Sequence, residues 1–370
     1  MQKLKENKDI LIFILFAYMI LTSYVSQTLY AYVTGASTLV FFVVLCVLFL
    51  LTVNLPQRLK KPDWELYIAG AAIVIAGLNL IIIGSNKGAV LVVADMALML
   101  YLCDKITLSD RIKRLLGVVG VAVMIPWYAY VHWYYNFNMA GFIFITILIM
   151  GELLLEYIKN DYEFYYLQYV QILLYVVTIL FTFCYHARGA MVCVILAGII
   201  YLLLPLIARG KLYTLLVLLS TVFSIAFTGL YIAMGKLGVN FRVLYKDVLS
   251  GRQEIWGELW EAFLKQPLTG IGSSYELKSL FIFEVHNGLF DILTVHGVIV
   301  FILICILLIR KMCETGKTQF KFYPDKRLAA AGIFCFLFAS FFENCFIVPP
   351  YSVIVFVLLL YVLDGSSYVN

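Results

Sequence analysis

Three side chains in the second half of this sequence have the chemistry to stabilise a charged leaving group and to accept a proton. Arg188 occurs in YHARGA, Arg252 in GRQEIWGELW and His286 in EVHNGLFDIL. Arginines bind a phosphate or diphosphate through bidentate, permanently charged donors. An imidazole can take a proton from a hydroxyl near neutral pH. The set therefore fits attack by a hydroxyl on a group linked to a lipid diphosphate, with the diphosphate leaving.

Each of these residues also has a simpler interpretation. Arg188 could extend its charge to lipid headgroups, Arg252 could pair with a neighbouring glutamate, and His286 could be a hydrogen-bonded structural residue. His186, close to Arg188 in the chain, is the main rival to His286 as a base. Glu343, predicted at the outer end of a membrane span, is placed to join the same site.

The composition requires a membrane environment for these residues. Of the 370 residues, 64% are hydrophobic and only 13% are charged, which is too little charge for the surface of a soluble protein. Apolar runs of ~17–23 residues are long enough to cross a bilayer. About twelve such runs are found, at 10–32, 36–53, 65–83, 88–103, 115–131, 139–158, 164–184, 189–208, 212–234, 288–309, 328–348 and 350–363.

The basic residues predict the orientation of these spans. They cluster in alternate connections, beginning with the N-terminus, whereas the opposite connections carry only Lys87 and Arg188 outside the long segment 235–287. Because basic loops stay on the cytoplasmic side, both termini are predicted to be cytoplasmic and 235–287 to lie outside. The net charge of +5 then reflects topology, and it gives no argument for nucleic acid as a partner.

The expected fold is an all-α polytopic membrane protein, because a backbone in lipid must satisfy its own hydrogen bonds. Within one integral membrane domain, transmembrane helices 1–9 are expected at 1–234 and helices 10–12 at 288–370. Between them, 235–287 is expected to form an extracytoplasmic loop with an amphipathic helix. The two halves do not match each other as they do in many transporters, which counts against a transporter.

The long loop has a pattern of its own. In GRQEIWGELWEAFLKQP, apolar residues including Trp256 recur at helical spacing. The predicted helix either lies on the outer leaflet or packs as a flap over the ends of the spans. After it, Gly270 and Gly272 permit tight turns or close approach of the backbone.

Other polar and aromatic features keep two interpretations each. Asp95, near the middle of the fourth apolar run, is either a proton or ion site or a strut hydrogen-bonded to Asn79 or a tyrosine. The segment WYAYVHWYYNFN at 127–138 is either an interfacial aromatic belt or a platform for sugar rings. The cysteines form no CxxC pair and fall mostly in apolar runs, so neither a disulfide framework nor a metal site is expected.

Three motifs resemble the O-antigen ligase and O-antigen polymerase (Wzy-type) superfamily of bacterial membrane glycosyltransferases. YHARGAMVCVILAGIIYLLL is similar to its Arg-Gly-Ala motif at the start of a span, although Ala187 stands where the family often has serine. GRQEIWGELWEAFLKQPLTGIG resembles the Gly-Arg, Trp, Pro and Gly-x-Gly pattern of its outer loop. EVHNGLFDILTVHG resembles its His-Asn pair, here His286 and Asn287, followed by a glycine, here Gly297. The resemblance extends over about 185–310.

The resemblance implies a glycosyltransferase fold of the GT-C type. It also implies transfer of glycans from undecaprenyl diphosphate at the outer face of the bacterial inner membrane, without a metal, a nucleotide sugar or another cofactor. Carried to this chain, it makes His286 the base that activates the acceptor hydroxyl, and Arg188 and Arg252 the ligands of the diphosphate. The candidate supporting residues are Asn287, Glu343, His186, Gly270, Gly272 and Trp256.

Three functions stay open as hypotheses. The first is a polymerase that joins undecaprenyl-diphosphate-linked oligosaccharide repeat units, as donor and acceptor, into an O-antigen or capsule by metal-independent inverting transfer. The second is a ligase that hands finished glycan to a lipid A core or another acceptor. The third is a transporter or a flippase of lipid-linked oligosaccharides, which the many spans and Asp95 permit. Membrane lipids are expected partners throughout, and a chain-length regulator and a flippase are candidate partners of a polymerase.

Overall fold

The structure is a computed structural model that describes residues 2–24, 27–55, 63–122, 137–239, 241–277 and 285–364. These residues are mostly helical. The helices are α1 (Gln2–Tyr24), α2 (Gln27–Thr52), α3 (Trp64–Ile82), α4 (Lys87–Leu102), α5 (Asp110–Ala122), α6 (Phe137–Tyr162), α7 (Leu167–Cys184), α8 (Arg188–Ile207), α9 (Lys211–Ser220), α10 (Phe223–Lys236), α11 (Arg252–Phe263), α12 (Gly288–Thr315), α13 (Pro324–Ala339) and α14 (Tyr351–Leu363). Two short strands, β1 (Arg242–Val243) and β2 (Lys246–Asp247), form an antiparallel hairpin between α10 and α11.

Seven helices in the described ranges are long and apolar enough to cross a membrane, namely α1, α2, α3, α6, α7, α8 and α12. The pair α9 and α10, bent by 50° at a short break, adds an eighth if it forms one span. The helices α4, α5, α13 and α14 have 16, 13, 16 and 13 residues. The prediction of an all-α polytopic membrane protein is therefore confirmed, whereas the count of about twelve spans stays a prediction.

The first two helices do not follow the predicted runs 10–32 and 36–53. α1 begins at Gln2 and ends at Tyr24, and α2 begins at Gln27. Hydropathy marks the part of a helix that contacts lipid, whereas the helix itself can continue through charged residues at the membrane boundary. The aromatic segment 127–138 lies outside the described residues up to 136, so neither interpretation of it is tested.

Helix α14 forms the centre of the helix bundle. Every one of its residues is buried, from Tyr351 to Leu363. A helix that is apolar on all sides belongs in a protein interior, and α14 contacts α1, α4, α12 and α13. A second, smaller core lies below α11 and includes Tyr231, Trp256 and Phe290.

One end of the bundle holds a buried network of charges. Lys311, near the end of α12, is fully buried and lies 2.8 Å from a carboxylate oxygen of Glu65 and 2.7 Å from one of Asp104. Buried charges are tolerated when they are paired in this way. His286, which precedes the first turn of α12, lies at the opposite end of the same helix. That helix has 28 residues.

A glycine kink interrupts α12 and receives the loop that follows α11. Gly297 has φ 83° and ψ 170°, and the amide of Val298 donates to the carbonyl of Pro267 at 2.9 Å. A Cβ added to Gly297 would lie 2.2 Å from the carbonyl oxygen of Leu268, and one added to Gly270 would lie 2.4 Å from that of Val295. Gly270, which is predicted to allow close backbone approach, therefore does so at this kink.

Asn79 fixes this junction instead of serving as a partner for Asp95. Its side-chain amide donates to the carbonyls of Thr269 at 2.9 Å and His296 at 3.0 Å. Both carboxylate oxygens of Asp95 are buried without a hydrogen-bond partner among the described residues. The interpretation of Asp95 as a strut to Asn79 or a tyrosine is therefore wrong for the part of the chain that the structure describes.

Candidate functional site

Glu343 joins the predicted base to one of the predicted arginines. Its Oε2 lies 2.7 Å from Nδ1 of His286, and its Oε1 accepts a hydrogen bond of 2.8 Å from Nη2 of Arg252. The three side chains are 14%, 28% and 15% exposed for Glu343, His286 and Arg252, so they line a partly closed site. Glu343 lies in the segment between α13 and α14, because α13 ends at Ala339, although the predicted run 328–348 includes this residue.

The backbone at His286 is fixed by the start of α12. His286 has a positive φ of 54°, an uncommon conformation for a residue other than glycine. The next residue, Asn287, is the N-cap of α12, and its side-chain oxygen accepts from the amide of Phe290 at 3.1 Å. Its side-chain amide donates to the hydroxyl of Thr228 at 3.1 Å. Asn287 is fully buried, so it holds the helix start in place and presents His286 at the rim.

Trp256 holds Val285, the residue that precedes His286. Its indole nitrogen donates to the carbonyl of Val285 at 2.6 Å, and the ring is fully buried. It packs against Tyr231 on α10 and Phe290 on α12, with ring centroids 5.2 Å and 6.5 Å away. The apolar face of α11 thus lies on α10 and α12, which agrees with a helix packed over the ends of spans.

Arg252 begins α11 and points into the protein. It follows Gly251, which has φ 82°, a conformation that glycine adopts without strain. Besides Glu343, its Nη2 contacts the carbonyl oxygen of Phe342 at 3.0 Å. Its Nε is buried and has no hydrogen-bond partner among the described residues. The guanidinium is therefore held at Nη2, while its buried Nε–H is left without a described acceptor.

Arg188 begins α8 and binds the hairpin β1–β2. Its Nη1 and Nη2 donate to the carbonyls of Val243 at 3.2 Å and Asp247 at 3.1 Å. The neighbouring Gly189 faces Phe342, because a Cβ built on it would lie 3.9 Å from the Cβ of Phe342. Gly189, next to Arg188, and the side chain of Arg252 therefore lie beside Phe342, whereas the side chain of Arg188 itself binds the hairpin.

His186 lies on the hairpin side of the site. It has φ 54°, and its ring packs edge-on against Tyr245 with centroids 4.3 Å apart. Burial raises the pKa of Tyr245, so its phenol stays neutral beneath the imidazole. Glu343 thus contacts the imidazole of His286, and Tyr245 packs against that of His186.

Gly270 and Gly272 do not contact the side chains of this site in the described structure. Both have positive φ, of 77° and 74°, and the amides of Ile271 and Gly272 donate to the carbonyls of Thr294 and Val295. These glycines support the kink of α12, about three helical turns beyond His286. Their role here is in positioning α12.

Asp291 and Asn344 are polar neighbours of the site that sequence reasoning missed. The side-chain amide of Asn344 donates to Oδ2 of Asp291 at 3.4 Å. Asn344 follows Glu343 directly, and Asp291 lies in the first turn of α12. The available signal was a carboxylate placed in an apolar run just after a histidine, a pattern that indicates function in a membrane protein.

The arrangement can act as a base and as an anion site together. A carboxylate that accepts from Nδ1–H leaves the lone pair of the neutral ring on Nε2, where it can take a proton. Arg252 on the other oxygen of Glu343 brings a permanent positive charge to the same place. Among the described residues, no group of three or more His, Cys, Asp or Glu side chains is arranged to hold a metal ion.

Comparison with known proteins gives one match. Residues 173–305 match the family model described as O-antigen ligase, a range that includes Arg188, Arg252 and His286 and stops before Glu343. No curated protein and no solved structure matches the chain. Members of the matched family are membrane glycosyltransferase-like enzymes. Over residues 173–305, this match to the O-antigen ligase family supports the resemblance drawn from the three motifs.

Proposed function

We propose that this protein joins undecaprenyl-diphosphate-linked oligosaccharide repeat units into a surface polysaccharide, such as an O-antigen or a capsule. The observation that carries the proposal is the position of Glu343 between His286 and Arg252. A base and an anion ligand on one carboxylate suit a reaction in which a hydroxyl loses its proton while a diphosphate gains charge.

In the proposed step, the acceptor hydroxyl oxygen attacks the anomeric carbon of the donor glycan. The bond between that carbon and the diphosphate oxygen breaks, and its electron pair leaves with the diphosphate. Nε2 of His286 takes the hydroxyl proton, while Glu343 stabilises the imidazolium through Nδ1. Attack opposite the leaving group inverts the anomeric centre, so a single base suffices.

The guanidiniums supply the stabilisation of the leaving diphosphate. Arg252 has an Nε–H without a described partner, which can donate to a phosphate oxygen while Nη2 keeps its bond to Glu343. Arg188 would exchange the carbonyls of Val243 and Asp247 for the second phosphate. Because a charged acceptor binds arginine more strongly than a neutral carbonyl does, this exchange is favourable. The proposed reaction draws on neither a metal nor a nucleotide.

The proposed location is the bacterial inner membrane, with both termini cytoplasmic and the site on the outer face. The buried network of Glu65, Asp104 and Lys311 supports this orientation, because it lies at the end of α12 opposite His286. The connections on that side are the basic ones, which the positive-inside rule places in the cytoplasm.

A ligase that transfers finished glycan to a lipid A core or another acceptor is the second candidate. The description of the matched family as O-antigen ligase favours it. Both functions use the same donor chemistry and the same three side chains, and they differ in the acceptor. In cells that lack the protein, a ligase would leave long chains on the carrier lipid, whereas a polymerase would leave single repeat units there.

A reaction with purified protein tests the proposal. The protein is incubated in detergent with one synthetic undecaprenyl-diphosphate oligosaccharide, without metal or nucleotide, and the lipid-linked products are separated by size. A polymerase gives a ladder of longer lipid-linked products, and H286A gives none.

No ladder from wild-type protein, but transfer to an added lipid A core, would support the ligase. Inactivity with every glycan acceptor would reject both. A chain-length regulator or a flippase added to the reaction tests these partners separately.

A further inference from the structure

A largely apolar groove opens between α6, α7, α8 and α13, away from the site of His286. Its cavity volume is about 700 Å³, within the ~300–1,000 Å³ typical of small-molecule sites. Its walls are formed chiefly by Leu148, Ile149, Ile172, Ile179, Ile195 and Leu328. Ile172 and Ile195 are 61% and 39% exposed on the outer surface of the bundle, so the groove is open to the lipid side.

Three polar side chains of the groove lie at one end. Lys159 comes from the end of α6, Gln168 from the start of α7 and Arg327 from the start of α13. All three belong to connections that the basic residues place on the cytoplasmic side. A molecule that fits this groove thus has an apolar part along the helices and a polar part at the cytoplasmic boundary.

Arg327 is the group that points to a phosphate. Its guanidinium lies 4.0 Å from the ring centroid of Tyr201, and its Nη2 contacts the Tyr201 hydroxyl. Its Nε is buried without a hydrogen-bond partner among the described residues. A guanidinium fixed on an aromatic face, with a donor left over, is well prepared to bind a phosphate oxygen.

Other polar side chains near this end of the groove already have partners within the protein. The Lys159 ammonium lies 2.5 Å from a carboxylate oxygen of Glu156. The Gln171 amide donates to the Glu152 carbonyl and to Glu156 at 3.4 Å. Glu152, which also lines the groove, adds a carboxylate on the α6 side. Arg327 on α13 is therefore the cation available to a ligand.

We propose that this groove binds a phospholipid of the cytoplasmic leaflet, with its phosphate on Arg327 and an acyl chain along α7 and α8. Charge complementarity and the position of the polar end select this occupant. In the proposed function, the diphosphate of a polyprenyl donor lies by His286 at the opposite end of the bundle, so the donor headgroup would not reach Arg327. This exclusion of the donor rests on the proposed function, whereas recognition of a phosphate by Arg327 does not.

Native mass spectrometry of the purified full-length protein tests the inference. Phosphatidylglycerol and a diacylglycerol with the same acyl chains are titrated separately into the detergent-solubilised protein. Charge-assisted hydrogen bonds to the phosphate should make phosphatidylglycerol bind on the order of 10- to 100-fold more tightly. Equal binding of the two lipids would overturn the proposal, because it would show that the phosphate is not recognised.

Two variants and a control locate the site. R327Q keeps a planar group on Tyr201 and removes the charge, so it should lose the preference for phosphatidylglycerol. Ile195→Trp fills the open side of the groove and should weaken binding of both lipids. Lys321→Gln changes an exposed basic residue outside the groove on the same predicted side and should bind as wild type does.

R327Q and Ile195→Trp test the proposal independently of each other. Wild-type affinity of R327Q for phosphatidylglycerol would exclude Arg327 as its ligand and overturn the proposal. If R327Q does not accumulate, Ile195→Trp decides alone, since undiminished lipid binding in that variant would exclude the groove.

Discussion

Nδ1 of His286 lies 2.7 Å from Oε2 of Glu343, although α12 and α13 separate the two residues in the chain. The contact fixes the ring orientation and assigns the proton of the neutral imidazole to Nδ1. The other oxygen of the same carboxylate is held by Arg252 at 2.8 Å. Glu343 therefore contacts both the proposed proton acceptor and the proposed anion ligand.

Replacing Glu343 by glutamine should abolish the proposed transfer activity without unfolding the protein. In E343Q, an NH₂ group replaces one of the two carboxylate oxygens. That NH₂ group must face either His286 or Arg252, both of which are donors in the native arrangement. The wrong tautomer of the imidazole should lower the rate of transfer on the order of 10²–10⁴-fold. The turnover of purified protein with a synthetic lipid-linked donor measures this.

E343D is the matched control for this position, because it keeps the charge and shortens the side chain. It should retain more activity than E343Q. Equal activity of E343Q and wild type would show that the carboxylate does not position the base.

Removing the imidazole of His286 should cost on the order of 10²–10⁴-fold in rate, while binding of the donor stays within a few-fold. The matched comparison is H186A, because His186 also has a positive φ and lies beside Arg188. The ring of His186 packs against Tyr245, so H186A should lose far less activity. A rate for H186A as low as that of H286A would make His186 an equal candidate for the base.

Substitutions of Arg188 and Arg252 should change different kinetic constants. Arg252 contacts Glu343 directly, so R252K, which cannot hold Glu343 and a phosphate in the same fork, should lower kcat and raise KM for the donor. Arg188 binds hairpin carbonyls, so R188K should chiefly raise KM.

Limited proteolysis of the hairpin gives a second readout for these variants. R188K should be cut faster than wild type between β1 and β2, because the guanidinium no longer ties both strands to α8. R252K should be cut at the wild-type rate. Identical kcat and KM effects with unchanged proteolysis in both variants would contradict this division of roles.

The sequence predicts the membrane character of this fold well, because hydropathy reports directly on contact with lipid. Helix ends are less predictable, as α1 and α2 show, because the charged start of α1 is helical without being apolar. The three motif residues could be found because the chemistry of arginine and histidine restricts their uses in membrane segments.

The partners of these residues could not be found in the same way. Glu343 was placed near the site by its predicted depth, but its double contact with His286 and Arg252 depends on how the segment after α13 folds back on α12. Gly270 and Gly272 indicate a close approach of the backbone. The α12 kink that they contact is marked in the sequence only by Gly297. Long-range pairing of this kind is set by packing, which a single sequence does not display.

Substituting Gly297 by alanine should destabilise the protein. Its φ of 83° disfavours a side chain, and the added Cβ would lie 2.2 Å from the Leu268 carbonyl oxygen. Strain of this type costs about 1–3 kcal/mol, and the backbone contact adds to it. Thermal unfolding in detergent should show a lower Tm for G297A.

Gly257→Ala is the matched control for this substitution. Gly257 lies within α11, and an added Cβ meets nothing within 4 Å, so alanine should be neutral or stabilising by about 1 kcal/mol. A Tm of G297A equal to that of wild type would mean that the kink can be relaxed without cost.

Asp95 provides the comparison between a transferase and a transporter. Both of its carboxylate oxygens are buried in α4 without a hydrogen-bond partner among the described residues, which is the feature expected of a proton or ion site. It lies in a helix that does not contribute His286, Arg252 or Glu343.

If the protein is a glycan transferase, D95N should retain most of its transfer activity, because asparagine has nearly the same shape and chemistry at His286 needs no charge there. A carrier that couples to protons would instead lose function in D95N and tolerate H286A. Measuring polymer length in cells for the two variants, with membrane insertion checked in both, distinguishes these outcomes. Normal polymer in H286A together with loss in D95N would reject the transferase.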